Sequence, residues 1–317
     1  MMSLPILFIL FNRPDPSRAV FEAIRAYKPA RLYVAADGPR SSKTHPTDHK
    51  LCESTRAIVE TIDWPCKVQT RYLSANLGCG NAVSQAITWF FSIEKRGVVL
   101  EDDCLPSPHF FVWQEMMLER YRDHAGILHV NGTNFLAPKG IFGGDNYRFS
   151  SFPNVWGWGS WSRAWNLYEK SPDMASVPPV QRFQAPGISR RQAAEHRSHI
   201  LAAVSGAIDT WDYQWSLTNF KNRSLVPTPS ANLITNIGHG AGATHTHDST
   251  SSLAALPLQT FEANDSFRSA PELKVDAALN RFFSKSNYGS PIGLSVTAWR
   301  NAFGRFRRRW FNFSTVA

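Results

Sequence analysis

Between residues 4 and 104, short apolar runs alternate with longer stretches in which apolar residues recur at helical spacing. The runs predict strands at Leu4 to Phe11, Arg31 to Ala36, Lys67 to Tyr72 and Gly97 to Leu100. The stretches between them predict helices. Asp15-Pro16 offers an N-cap and a first-turn proline to a helix with Val20, Ala23, Ile24 and Tyr27 on one face. Thr47 to Ile62 reads as a second helix. Gly78-Cys79-Gly80-Asn81 opens a third, with the stripes Ala82/Ala86/Phe90 and Val83/Ile87/Phe91. Strands separated by helices imply a parallel sheet with right-handed crossovers.

Beyond residue 104 the pattern changes. A helix from about Pro108 to Tyr121 keeps Phe110, Trp113, Met117 and Tyr121 on one side, and Ile127 to Val130 reads as a strand. A glycine-rich segment (140–144) and an aromatic turn, Phe152 to Trp161, come next. A proline-rich connector from Pro172 to Pro186 then leads to helices at Arg190 to Val204 and Trp211 to Lys221. Gly238 to His247, rich in glycine, histidine and threonine, has the composition of a lid. In the last residues Trp299, Ala302, Phe303, Phe306, Trp310 and Phe313 form one helical stripe among Arg300, Arg305, Arg307, Arg308 and Arg309. That is the make-up of an interfacial helix on anionic lipid, or of a terminal helix docked with its arginines outward; Gly304 weakens either.

Composition narrows the choices. A chain of 317 residues with 43% hydrophobic content can bury a large core. Its net charge of +9 is concentrated near the end, too local for a nucleic-acid groove, so no nucleic-acid partner is expected. The scattered cysteines Cys52, Cys66, Cys79 and Cys104 argue against a zinc site or disulfide framework and fit a reducing, cytoplasmic setting. The run Leu4 to Phe11 lacks a basic flank and reads as a buried strand, not as a signal peptide or a membrane span.

The chemistry gathers where the strands end. Gly97-Val98-Val99-Leu100 delivers Glu101, Asp102 and Asp103 to its own tip, and three adjacent carboxylates repel unless a cation or a hydroxyl-rich ligand compensates them. A solvated loop of ordinary acids is the competing account. The loops Asn12-Arg13, Asp37-Gly38, Asn76 to Gly80 and Glu101 to Asp103 would converge on one crevice of a parallel sheet. Together they suit a nucleoside diphosphate: an arginine for phosphate, an aspartate for base or ribose, glycines at a helix start and acids for a divalent ion. Asp37-Gly38 is equally a turn signature. Gly78-Cys79-Gly80 matches no phosphate loop well.

With these motifs in order, the chain resembles a GT-A fold nucleotide-diphosphosugar glycosyltransferase, and is similar to the N-acetylglucosaminyltransferase I family and its bacterial relatives. The resemblance runs from residue 4 to about 250. It is carried by Pro5 to Arg13, Val99 to Asp103, Phe152 to Trp158 and Thr210 to Trp215. It implies an α/β fold, Rossmann-like, with a mixed, mainly parallel sheet flanked by helices and a C-terminal helical tail. It implies a catalytic unit over 1–250, divided into a nucleotide-binding half (1–103) and an acceptor-binding half (104–250), followed by a basic extension (251–317). The activity implied is metal-dependent, inverting transfer from a UDP-sugar to a saccharide or lipid-linked hydroxyl, with Mn2+ or Mg2+ as cofactor. Membrane contact through the tail would suit such a task.

By the same resemblance Asp103 binds the metal, Asp102 faces the ribose, Glu101 a donor-sugar hydroxyl, and Asp37 the uracil. Arg13 lies beside the nucleotide, with Asn76 and Gly78 in the donor site. Asp212 is the implied base. Independently, its flanking Trp211, Tyr213 and Trp215 make an apolar setting that could position a sugar, although Trp211 and Trp215 are also spaced as helix core. Trp156 and Trp158, with Gly157 between them, and Trp211 offer faces for an acceptor sugar; core packing competes. His239 and His245 are lid residues that could reach phosphate or metal. Two other classes remain open from the sequence: a sugar-phosphate nucleotidyltransferase, and a non-catalytic carbohydrate-binding protein.

Overall fold

The computed structural model describes residues 3–238, 253, 255–260 and 271–288. The first half runs β1 (Ile6–Leu10), α1 (Pro14–Tyr27), β2 (Arg31–Ala36), α2 (Asp48–Arg56), β3 (Lys67–Tyr72), α3 (Cys79–Ile93) and β4 (Arg96–Glu101). There follow β5 (Cys104–Pro106), α4 (Pro108–Arg120), β6 (Val130–Asn131), β7 (Tyr147–Ser150), β8 (Trp158–Trp161) and the single turn α5 (Ser162–Trp165). The chain continues through α6 (Arg190–Val204), α7 (Asp212–Lys221), β9 (Val226–Pro229), β10 (Ile234–Asn236) and α8 (Ala277–Tyr288).

A six-stranded sheet in the order β3-β2-β1-β4-β8-β6 forms the centre. β3, β2, β1 and β4 are parallel, with Ile9 opposite both Ala35 and Glu101, whereas β8 runs antiparallel to β4 and to β6. Every residue of β1 is buried, because helices cover both faces of the sheet. On one face Phe8 and Val34 pack with Val20, Phe21 and Ile24 of α1 and with Phe110 and Trp113 of α4. On the other, Leu7 and Tyr33 pack with Val83, Ile87 and Phe90 of α3 and with Trp211 and Trp215. β3 is the edge strand, and its largely exposed Lys67, Val68, Gln69 and Thr70 mark it as such.

The expected α/β architecture with a mainly parallel sheet is therefore present, with several local differences. α1 begins at Pro14, not after Asp15, which puts Arg13 at its N-cap with no capping side-chain bond. The helix expected over Thr47 to Ile62 tightens into a 3-10 turn after Arg56. The aromatic segment expected as a turn ends in a strand: Trp158 to Trp161 pairs with Arg96 to Val99. Gly159 permits this because a side chain there would collide with Gln114 of α4. The expected unit boundary at residue 250 does not coincide with an edge of the core. Leu256, Leu279 and Phe283 are buried in one cluster with Phe152, Phe183 and Phe220. The expected basic helix over 294–317 lies outside the described residues. Among those described, no helix is long and apolar enough to cross a membrane.

Candidate active site

β1 has β2 on one side and β4 on the other, so the chain diverges at β1 and leaves a crevice beyond the strand ends. A cavity of about 280 Å3 occupies it. Its apolar floor is Ile9, Leu10, Ala35, Ala36, Ala82 and Ala86, and its polar rim includes Arg13, Asp37, Asn76, Gly78, Glu101 and Asp102. The four loops singled out in the sequence thus meet in space.

The acids of β4 are organised by Arg13. Its guanidinium donates to both oxygens of Asp102, the Nε bond being 3.2 Å, and Nη2 also donates to Asp103 Oδ2 at 3.0 Å. Burial opposes the charge of Arg13, but Asp102 and Asp103 outweigh it and hold the guanidinium more firmly protonated. Burial pushes the Asp102 carboxyl up against the pull of Arg13. Glu101 is pushed up to about 8, first by burial and then by the charges of Asp103 and Asp102. Gly238 lies against this group: a Cβ there would stand 2.6 Å from Arg13 Nη1.

Asp37 does not face the cavity as a free base reader. Oδ1 accepts the N–H of Gly38 at 2.8 Å and of Leu77 at 2.9 Å, while Oδ2 accepts from Asn76 Nδ2 at 2.8 Å. The Gly78 N–H adds a further bond, and burial raises the carboxyl against all of these. A carboxylate has about four acceptor positions, so Asp37 is spent on fixing the Asn76–Gly78 loop. Asp37, placed in the cavity lining as expected, thus also anchors this loop, and Asn76 acts through the same anchor.

From the other half, Asp212 opens α7. Its Oδ1 accepts the Thr210 hydroxyl and, at 2.9 Å, the Tyr213 N–H. Asp212 is not itself among the residues lining the cavity, but Asp209, three residues before it, is, and the charge of Asp212 reaches Glu101 and the Cys79 thiol in the lining. Glu101 and Asp102 from β4 and Asp209 from the segment before α7 therefore share one cleft. Two expected acceptor faces are not available. Trp158 is 0% and Trp211 2% exposed, stacked on each other at 5.7 Å, with Trp158 also stacked on His129 at 4.9 Å. Both are core: Trp158 on β8 packs against Trp211 at the start of α7 and against Trp215 within it. Gly157, at φ +57°, allows the turn to close on Ile234 and Leu100, which a side chain would strike; its role is packing. Trp156 remains half-buried, edge-on to Phe135 at 5.2 Å. His239 and His245 lie outside the described residues.

Three cavity residues escaped the sequence reading. Arg40 is paired with buried Asp48 at 2.6 Å, holding that carboxyl down to about 2, and lies over Phe11. Arg71 donates to Gln85 Oε1 at 3.0 Å. Asp209 accepts the Gly80 N–H at 3.0 Å. Arg40 and Asp209 sit in polar segments without periodicity and Arg71 on the edge strand β3, and their partners are distant or unremarkable in sequence.

Among the described residues no three His, Cys, Asp or Glu side chains are grouped to cage a metal ion unaided. The donor set nevertheless fits one. Two carboxylates, Asp102 and Asp103, meet a single guanidinium beside Glu101, whose carboxyl is raised first by burial and then by their charges. Magnesium and manganese take oxygen ligands and commonly need only one or two carboxylates beside phosphates and water.

No family model matches the chain, and no curated protein matches it in sequence. Solved structures similar to it include mouse xyloside xylosyltransferase 1 in its apo form, with TM-score 0.34 and 10% identity over 70% of this chain and 84% of that one. UDP-glucose pyrophosphorylase complexed with UDP-glucose gives 0.32 and 11%, over 72% and 90%. Apo UDP-glucose pyrophosphorylase gives 0.32 and 9%, over 78% and 96%. At these values the functional reading rests on the geometry of the site.

Proposed function

We propose that the protein is an inverting, metal-dependent glycosyltransferase that uses a nucleoside-diphosphate sugar, with UDP as the nucleotide, and transfers its sugar to a hydroxyl of a saccharide or lipid-linked acceptor. One arrangement supports this reading: Arg13, Glu101 and Asp102 line one cavity with Asp209, which comes from the other half of the fold three residues before Asp212. Asp103 would hold a manganese or magnesium ion, which when bound neutralises charge on the departing diphosphate. Arg13 aligns Asp102 and Asp103 for that task. The floor of small apolar residues accepts a flat base, and the Asp37-anchored loop closes one side of it.

In the transfer step the acceptor oxygen attacks the anomeric carbon from the side of Asp212. The bond from that carbon to the diphosphate oxygen breaks, its electron pair leaving with the nucleotide. The acceptor proton passes to Asp212, whose Oδ2 has no hydrogen-bond partner among the described residues. A positioned base of this kind contributes about two to four orders of magnitude. Attack opposite the leaving group inverts the configuration.

A thermal-shift series with UDP-, GDP- and CDP-sugars and manganese tests the donor class; stabilisation by UDP-sugars above the others is expected. Asp212→Asn should then keep donor affinity and lose about a hundredfold or more in turnover. Condensation of UTP with a sugar 1-phosphate, without transfer to any acceptor, would overturn the reading in favour of a nucleotidyltransferase.

A further inference from the structure

We propose that Asp209 and Thr210 are positioning residues that set the base Asp212 at the donor cavity. Asp209 fastens the loop before α7 to the nucleotide-binding half, and Thr210 fixes the Asp212 carboxylate itself. The inference rests on the reading of Asp212 as base.

Asp209 Oδ1 accepts the Gly80 N–H at 3.0 Å, a bond between residues 129 apart in sequence. That N–H belongs to the first turn of α3, where backbone donors lack helical partners and a carboxylate is favoured by the helix dipole. The glycines beside Cys79 are what admit the contact. A Cβ at Gly78 would stand 2.5 Å from Asp209 Oδ2; one at Gly80 would stand 2.7 Å from Oδ1 and 2.8 Å from the Thr210 carbonyl. Gly78-Cys79-Gly80, a poor phosphate loop in sequence, thus has a structural partner in Asp209.

The next residues complete the link. The Thr210 hydroxyl and the Tyr213 N–H both donate to Asp212 Oδ1, which leaves Oδ2 as the proton-accepting oxygen. Trp211, between the two, is buried against Trp158 and Trp165 and holds the backbone in place. From α3 to the base, the chain is fastened by Asp209, Trp211 and Thr210 in turn. Displacing a reacting group by about 1 Å costs on the order of a hundredfold in rate, which is what such fastening prevents.

The test compares Thr210→Val with Thr210→Ser, and Asp209→Ala with Asp209→Asn. It reads UDP-sugar turnover, donor affinity by calorimetry, melting temperature and exchange of the Gly80 amide. Thr210→Val should lower kcat by about ten- to a hundredfold at nearly unchanged donor affinity, and Thr210→Ser should restore it. Asp209→Ala should lower kcat and speed Gly80 exchange; Asp209→Asn, which still offers an acceptor oxygen, should restore both. Wild-type kcat in Thr210→Val, equal losses in Thr210→Ser and Thr210→Val, or unchanged Gly80 protection in Asp209→Ala would overturn the proposal. If Asp212→Asn is inactive while Thr210→Val is not, only the tether fails. If Asp212→Asn turns over normally, the base reading fails and the tether loses its catalytic meaning.

Discussion

Arg13 clasps Asp102 through two of its nitrogens and reaches Asp103 with one of the same pair, so a single guanidinium aligns both acids at the tip of β4. The clasp depends on where α1 begins. Pro14 takes the first helical position, leaving Arg13 outside the helix with its side chain free to cross to the acids.

Removing the clasp should be more damaging than removing one of its acids. Arg13→Met leaves two buried carboxylates without their cation and should destabilise the fold by about 3 kcal/mol. Adding Asp102→Asn should recover part of that loss. Urea unfolding of the single and double variants checks the sign: a double variant less stable than Arg13→Met contradicts the picture.

Asp103→Asn keeps an oxygen for Arg13 but weakens any cation site. The expected result is a folded protein whose stabilisation by UDP-sugar no longer increases with manganese and whose turnover no longer responds to chelator. A variant with wild-type manganese dependence would remove Asp103 from the metal role.

Asp37 anchors a loop, so its replacement should be read in loop dynamics. Asp37→Asn places an NH2 where several N–H donors converge and should cost about 2 kcal/mol. Leu77 amide exchange should accelerate and donor affinity fall. Unaltered Leu77 protection with selectively lost uridine binding would return Asp37 to base reading.

The tryptophans of the aromatic segment should separate cleanly. Trp158→Ala empties a fully buried site and should cost about 4 kcal/mol, whereas Trp156→Ala, at a half-buried position, should cost markedly less. Comparable unfolding midpoints for the two variants would contradict the assignment of Trp158 to the core.

Acid should weaken the fold through His129 and His196, both lowered to about 3, in each case chiefly by burial. Above pH 6.5 both are neutral folded or unfolded, and their contribution is fully present. As pH falls below 6.5 the unfolded chain takes up protons that the native one refuses. Stability should drop by up to about 1.4 kcal/mol per pH unit for each histidine until the folded pKa is reached. A urea midpoint that stays level from pH 7 to pH 5 would show that these histidines titrate normally.

What the sequence disclosed follows from how local each signal was. β2 and β3 begin and end where the apolar runs and turn residues put them, and the cavity loops follow from strand order alone. β8 was hidden because glycine beside tryptophan reads as a turn. Its strand character comes from its ladders with β4 and β6, which only the folded chain supplies. α8 was equally hidden, since Phe283 and Leu279 find their partners at Phe152 and Phe183 far upstream. Asp209 carried no local mark at all: its significance lies in two glycines distant in the sequence.

β4 is laddered in parallel to β1 along one edge and in antiparallel to β8 along the other. It is a seam between two building plans, and the acids at its tip belong to both. Remodelling the antiparallel side can recast what approaches Asp212 while the Arg13 clasp stays put.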